Sequence, residues 1–186
     1  MFVGTHKIIG ENVYSILAME KNIYLNHKLF IYGNIAPDFS LDFIGERHYK
    51  SFCYDKVKEH IIDMSNRRMS LSEFSYKSGV ICHYISDMFC YPHHQEWRYF
   101  GGNTKEHILF EDKQYTLVKH KNFNPNSNIL IDEFTSECID LFINTLLNEY
   151  QNAVDYSRDM QFSVTACYRY IESILLNYFR KNIVFA

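Results

Sequence analysis

Two histidines of this chain are each followed, four residues on, by a carboxylate: His83 by Asp87 and His107 by Glu111. On a helix, residues four apart share a face one turn above each other, so each pair can aim two side chains at one point. The paired histidines of an HExxH helix hold a metal in this way. Imidazole and carboxylate are donors that suit zinc at catalytic sites, and His93, directly after Pro92, stands on the turn between the two pairs. One such pair is usually a hydrogen-bonded surface or core pair. Two pairs with a further histidine between them point to a metal cluster. The run around the first pair is otherwise apolar (Val80, Ile81, Cys82, Tyr84, Ile85, Met88, Phe89, Cys90). That turns Asp87 toward the interior, where a carboxylate needs a cation or good hydrogen bonds.

Composition agrees with a helical frame. Only 7 Gly and 3 Pro occur in 186 residues, which favours long helices over a turn-rich β fold. A hydrophobic share of 47% excludes a disordered chain, and 15 Tyr with 15 Phe imply large side chains between helices. The formal charge of −3 argues against a nucleic-acid partner, and the short basic clusters Arg67-Arg68 and Lys119 to Lys121 read as solvated turns. Five cysteines without a CxxC read as reduced, mostly buried thiols. The N-terminus lacks the basic, apolar and small-residue parts of a secretory signal, and no run approaches the ~18 apolar residues of a membrane span. A cytoplasmic location is the expectation.

In chain order, a first helix is expected from Thr5, as N-cap, to about Lys21, with His6 in its first turn. A second covers about Tyr24 to Tyr32 and ends at Gly33. The segment 33–40, with its Gly-Asn and Pro-Asp pairs, reads as a loop carrying Asp38. A third helix covers about Arg47 to Met64, with His48 in its first turn. Ser70 and Glu73 form a capping box for a central helix running to about Tyr91, where Pro92 breaks it. Asn103 and Glu106 offer a similar cap for the helix of His107 and Glu111, to about Lys119. The segment 121–128 reads as a loop. Two long helices, Ile129 to Tyr150 and Val154 to Asn182, have apolar stripes that read as core. The expected architecture is all-α: one domain over residues 1–186, a bundle of about seven helices with a metal cluster in a cleft between them.

The phrase His83-Tyr84-Ile85-Ser86-Asp87, then Pro92-His93, then His107 and Glu111, resembles the zinc-dependent phospholipase C family, which shares its fold and metal site with the fungal single-strand nucleases. The spacings of four, ten, fourteen and four follow the family pattern without a gap. Upstream, Thr5-His6, the loop Gly33 to Asp38 and Arg47-His48 fall in the family's order. The resemblance runs from Thr5 to Glu111; the last third matches only in being helical.

The resemblance implies zinc, two or three ions per chain. The first would be held by Asp38, His48, His83 and Asp87. The second would be held by His93, His107 and Glu111, leaving a place for water. The third would use His6 and share Asp87 as a bridge. In secreted relatives the mature amino terminus also holds this third ion. Here five residues beginning with Met1 precede His6, a departure that makes the third position depend on how that segment folds.

The implied chemistry is hydrolysis of a phosphate ester by a metal-activated water, with Asp38 orienting or deprotonating that water. A phospholipid head group or small phosphodiester is the implied substrate, with transient contact at a membrane surface. The aromatic-rich segments 39–54 and 96–100 suit an apolar cleft mouth, with Glu96, Trp97, Tyr99 and Phe100 as one lip or as ordinary packing. Two other readings stand beside it. A nuclease or nucleotidase of the related fold would want stacking aromatics among basic residues, and a non-catalytic metal-binding module would need only the ligands. Tyr84 reads as core; His27, His60, His94 and His120 read as surface residues.

Overall fold

The computed structural model describes residues 1–21, 25–41, 50–93, 104–150 and 154–183. Among these residues there are seven α-helices and no strand. They are α1 (Val3–Lys21), α2 (His27–Ile35), α3 (Lys50–Asn66), α4 (Leu71–Asp87), α5 (Thr104–Val118), α6 (Ser136–Tyr150) and α7 (Tyr156–Ile183). Two 3₁₀ turns, Ala36–Asp38 and Tyr91–His93, follow α2 and α4. No helix among the described residues is long and apolar enough to cross a membrane.

The central helix α4 starts where the capping residues place it: Ser70 Oγ accepts the Glu73 amide at 3.1 Å. Its second half, from Ile81 to Asp87, is buried on every side, as expected of a helix apolar all round. It packs against α1, α2, α3 and α7. Ile85, Leu17, Ile171 and Phe89 are among the fully buried side chains around it, each contributing about 1.5–3 kcal/mol by leaving water.

Five boundaries differ from expectation, each for a local reason. α1 begins at Val3, so Thr5 lies inside the helix and caps nothing. α2 starts after Asn26, whose side chain accepts the Leu29 amide at 3.2 Å, and it runs through Gly33 to Ile35. Gly33 is therefore a packing residue. A Cβ there would meet the Tyr76 carbonyl at 2.1 Å, and one on Gly79 would meet the Phe30 carbonyl at 2.2 Å. These two glycines bring the backbones of α2 and α4 into contact.

α4 stops at Asp87, before Tyr91, because the chain tightens. The amides of Met88, Phe89, Cys90 and His93 bond back three residues, to Ile85, Ser86, Asp87 and Cys90, a 3₁₀ pattern. α6 starts at Ser136, seven residues later than expected. Residues 126–131 instead lie along α7: Asn126 bonds Thr165, the Ser127 carbonyl accepts from Arg169, and the Ile131 amide donates to Ser173 at 2.9 Å. Thr135 then caps α6, and Asp155 caps α7 by accepting the amides of Ser157 and Arg158.

Candidate metal centre

The glycine contact between α2 and α4 sets one wall of the site. It brings the carbonyl of Asn34 to 3.0 Å from His83 Nδ1. A carbonyl can only accept, so Nδ1 carries the proton and Nε2 presents a lone pair. His6, on α1, is held in the same way. Its Nδ1 lies 3.0 Å from Ser86 Oγ, whose own hydrogen goes to the His83 carbonyl at 2.8 Å. Ser86 Oγ therefore accepts from His6, and His6 also points Nε2 outward.

Both Nε2 atoms converge on Asp87, His6 at 3.3 Å from Oδ1 and His83 at 3.5 Å from Oδ2. The two rings stack with centroids 3.8 Å apart and planes at 24°. His6 Nε2 makes no hydrogen bond among the described residues. Two imidazole lone pairs and a carboxylate, all fully buried and all aimed at one point, are a donor set that fits a divalent cation. Asp38, at the end of the first 3₁₀ turn, brings Oδ1 to 3.8 Å from His83 Nε2 and adds a second carboxylate.

The opposite wall comes from α5 and the second 3₁₀ turn. His107 Nε2 is 2.8 Å from Glu111 Oε1, His93 Nε2 is 3.1 Å from the same oxygen, and the two ring nitrogens are 3.2 Å apart. Three donors this close suit one small ion. His93 also joins the walls, with Nδ1 3.6 Å from Asp87 Oδ1.

The amino nitrogen of Met1 stands at this junction. It lies 2.8 Å from Asp87 Oδ1, 3.0 Å from Glu111 Oε1 and 3.1 Å from His93 Nε2. Burial would lower its pKa, but Asp87, Cys90 and Glu111 outweigh that and hold the ammonium well above its ordinary value. Burial alone would raise Glu111; the terminal ammonium and the hydrogen bonds to His107 and His93 hold that carboxyl well below the usual range. Burial also pushes the His93 imidazole down.

Beneath the second wall lies a polar network that no sequence pattern announces. Asp159 of α7 accepts from Tyr150, from Gln114 Nε2 at 2.9 Å and from the Tyr91 amide at 3.3 Å. It thereby ties α6, α5 and the turn carrying His93 to one carboxyl. Burial raises Asp159 to about 7 against the pull of these donors.

The structure brings together His6, Asp38, His83, Asp87, His93, His107 and Glu111. His48, the remaining expected ligand, lies outside the described residues, as do His94, Glu96, Trp97, Tyr99 and Phe100. Tyr84 is core, and His27 pairs at the surface with Glu11 at 2.8 Å. One residue was missed. The thiol of Cys90, His93 and Glu111 place their donor atoms within 4.8 Å of one another. The signal was present as Asp87-x-x-Cys90-x-x-His93, a spacing of three that only a 3₁₀ path lines up. The site opens toward Asp38, His107 and Glu111, whose side chains are 16%, 23% and 10% exposed, while His6, His83 and Asp87 are sealed.

No curated protein and no solved structure shows a significant match to the chain. The sequence profile of the zinc-dependent phospholipase C family, however, matches residues 5–157, from the first turn of α1 to the start of α7. It takes in every described donor of both walls from His6 onward, so this chain belongs to the zinc-dependent phospholipase C family.

Proposed function

We propose that this chain is a metal-dependent hydrolase of phosphate esters, a phospholipase C-like phosphodiesterase built as one domain around two or three zinc ions. The observation that carries the reading is the convergence of His6 Nε2 and His83 Nε2 on Asp87, with both Nδ1 atoms engaged elsewhere. Asp38, His83 and Asp87 would hold one ion, with His48 completing the set by resemblance. His93, His107 and Glu111 would hold another, and His6 a third shared through Asp87. Ions so placed supply Lewis-acid stabilisation of phosphoryl oxygens and a water acidified to near neutral pH.

Asp38 is the residue with the chemistry of an orienting group or general base, because its carboxylate lies at the open side of the cluster. Asn34 and Ser86 keep two imidazoles in the ligand tautomer. The sealed wall excludes bulk water from the back of the site. A lipid head group or small phosphodiester is favoured over a nucleic acid by the mouth's residues. Phe39 and Leu41, after Asp38, are exposed apolar side chains, suited to transient contact with a lipid surface.

The test is metal content per chain by elemental mass spectrometry, on protein purified without chelator or affinity-tag metal, with turnover of a chromogenic phosphodiester before and after metal removal. Two or three zinc ions with zinc-restored turnover are expected. Asp87→Asn should lose at least one ion and turnover by about 10³-fold or more, since several kcal/mol of charge stabilisation go with it. Full activity in that variant would sink the scheme.

A further inference from the structure

We propose that Cys90 is a metal ligand, giving the ion at His93 and Glu111 a sulfur donor outside the histidine and carboxylate set. The inference rests on reading the cluster as a metal centre.

Three observations carry it. Cys90 Sγ, a His93 ring nitrogen and a Glu111 oxygen lie within 4.8 Å of one another. The backbone makes this more than chance proximity. The Cys90 amide bonds the Asp87 carbonyl at 3.2 Å and the His93 amide bonds the Cys90 carbonyl at 2.9 Å. In 3₁₀ turns residues three apart eclipse, so Asp87, Cys90 and His93 stand in one row facing α5. The third observation is the thiol's surroundings. Cys90 is free and fully buried, and the Met1 ammonium, Asp159, Glu111 and Asp87 are its charged neighbours. Cys167, by contrast, spends its thiol on the Cys82 carbonyl at 3.3 Å.

The chain offers this ion one sulfur, one nitrogen and one oxygen within 4.8 Å of one another, and His107 Nε2 lies 2.8 Å from Glu111 Oε1. Such a set suits zinc and disfavours magnesium, calcium and manganese, which prefer oxygen. The wall of His6, His83 and Asp87 has no sulfur among its donors. The two walls therefore differ in softness. Binding costs the thiol its proton, which leaves to solvent as the sulfur–metal bond forms.

The experiment is X-ray absorption at the zinc edge on the full chain loaded with zinc and freed of excess metal, with zinc counted per chain. A sulfur shell at about 2.3 Å is expected beside nitrogen and oxygen at about 2.0–2.2 Å. One sulfur per chain, averaged over two or three ions, reads as roughly a third to a half of a sulfur per zinc. Cys90→Ser should abolish that shell, and Cys138→Ser should leave it unchanged. Cys90→Asp keeps a donor and removes only sulfur, so it should hold the wild-type zinc count without the shell if Cys90→Ser fails to fold. Bound zinc with nitrogen and oxygen alone in the wild type overturns the assignment and leaves the metal centre standing. A sulfur shell that survives in either Cys90 variant also overturns it. A chain that binds no zinc overturns both.

Discussion

The two walls of the cluster are held in different ways. His6 and His83 are pinned from behind, each Nδ1 donating to a fixed acceptor, Ser86 Oγ or the Asn34 carbonyl. Both acceptors belong to the helix packing itself, one on α4 and one on α2 against it. His93, His107 and Glu111 are pinned to one another and to the Met1 ammonium, and the turn beneath them is anchored at a distance through Asp159. A wall pinned from behind keeps its donor geometry with or without an ion. A wall held by mutual contacts must rearrange when a metal replaces those contacts. Orientation by outer hydrogen bonds is the general means of fixing ligand tautomers, and here it is concentrated on one side.

The largest break in this contrast should come from Gly79→Ala. Its Cβ would sit 2.2 Å from the Phe30 carbonyl, backbone that cannot swing aside. The cost should reach about 3 kcal/mol, the upper end for overpacking, read as a lowered denaturant midpoint at unchanged m-value. Because α2 must retreat, the Asn34 carbonyl leaves His83, and the first wall should lose metal before the second does. Equal loss at both walls would contradict the division drawn above.

Ser86→Ala is a milder probe of the same idea. It removes the acceptor of His6 Nδ1 without touching a ligand, and should weaken one ion about 10–100-fold while the others hold. Competition with a chromogenic chelator would show one weakened class of site. A uniform shift of all classes would mean that the walls are coupled more tightly than their hydrogen bonds suggest.

A pH profile sharpens the role of Asp159. Its pKa is raised to about 7 in the fold, against about 3.9 in an unfolded chain, so the folded state holds the extra proton between these values. Stability contributed by the neutral carboxyl is full below about 4, is lost as pH rises toward 7, and is flat above that. The wild type minus Asp159→Asn difference in unfolding free energy should thus fall with pH at about 1.4 kcal/mol per unit inside that window. A difference that grows with pH would show that the three donors to Asp159 outweigh its burial.

The helices were legible because their signals are local. The spacing of His83 with Asp87 and of His107 with Glu111, the Ser70 cap and the apolar runs each depend on residues a few positions apart. Gly33 was misread as a helix end because its packing partner, Gly79, lies on another helix. Residues 129–135 were misread as helix because α7 supplies the hydrogen bonds that hold residues 126–131 along it. Cys90 reads as a buried thiol and is one; its place beside His93 was not legible because helical spacing does not align the two, whereas the tightened turn does.

By itself, the sequence determined that the chain is helical, that two helices each carry an imidazole and a carboxylate on one face, and that these residues follow the pattern of zinc-dependent phospholipases C. Helical periodicity and donor chemistry suffice for that. Only the tertiary structure decided which ring nitrogen each histidine presents, that Asp87 joins two walls, that Met1 nitrogen comes to 2.8 Å from it across 86 positions, and that a thiol faces the cluster. Those outcomes depend on how closely α2 and α4 approach and where α4 tightens, and both follow from contacts between residues far apart in the chain.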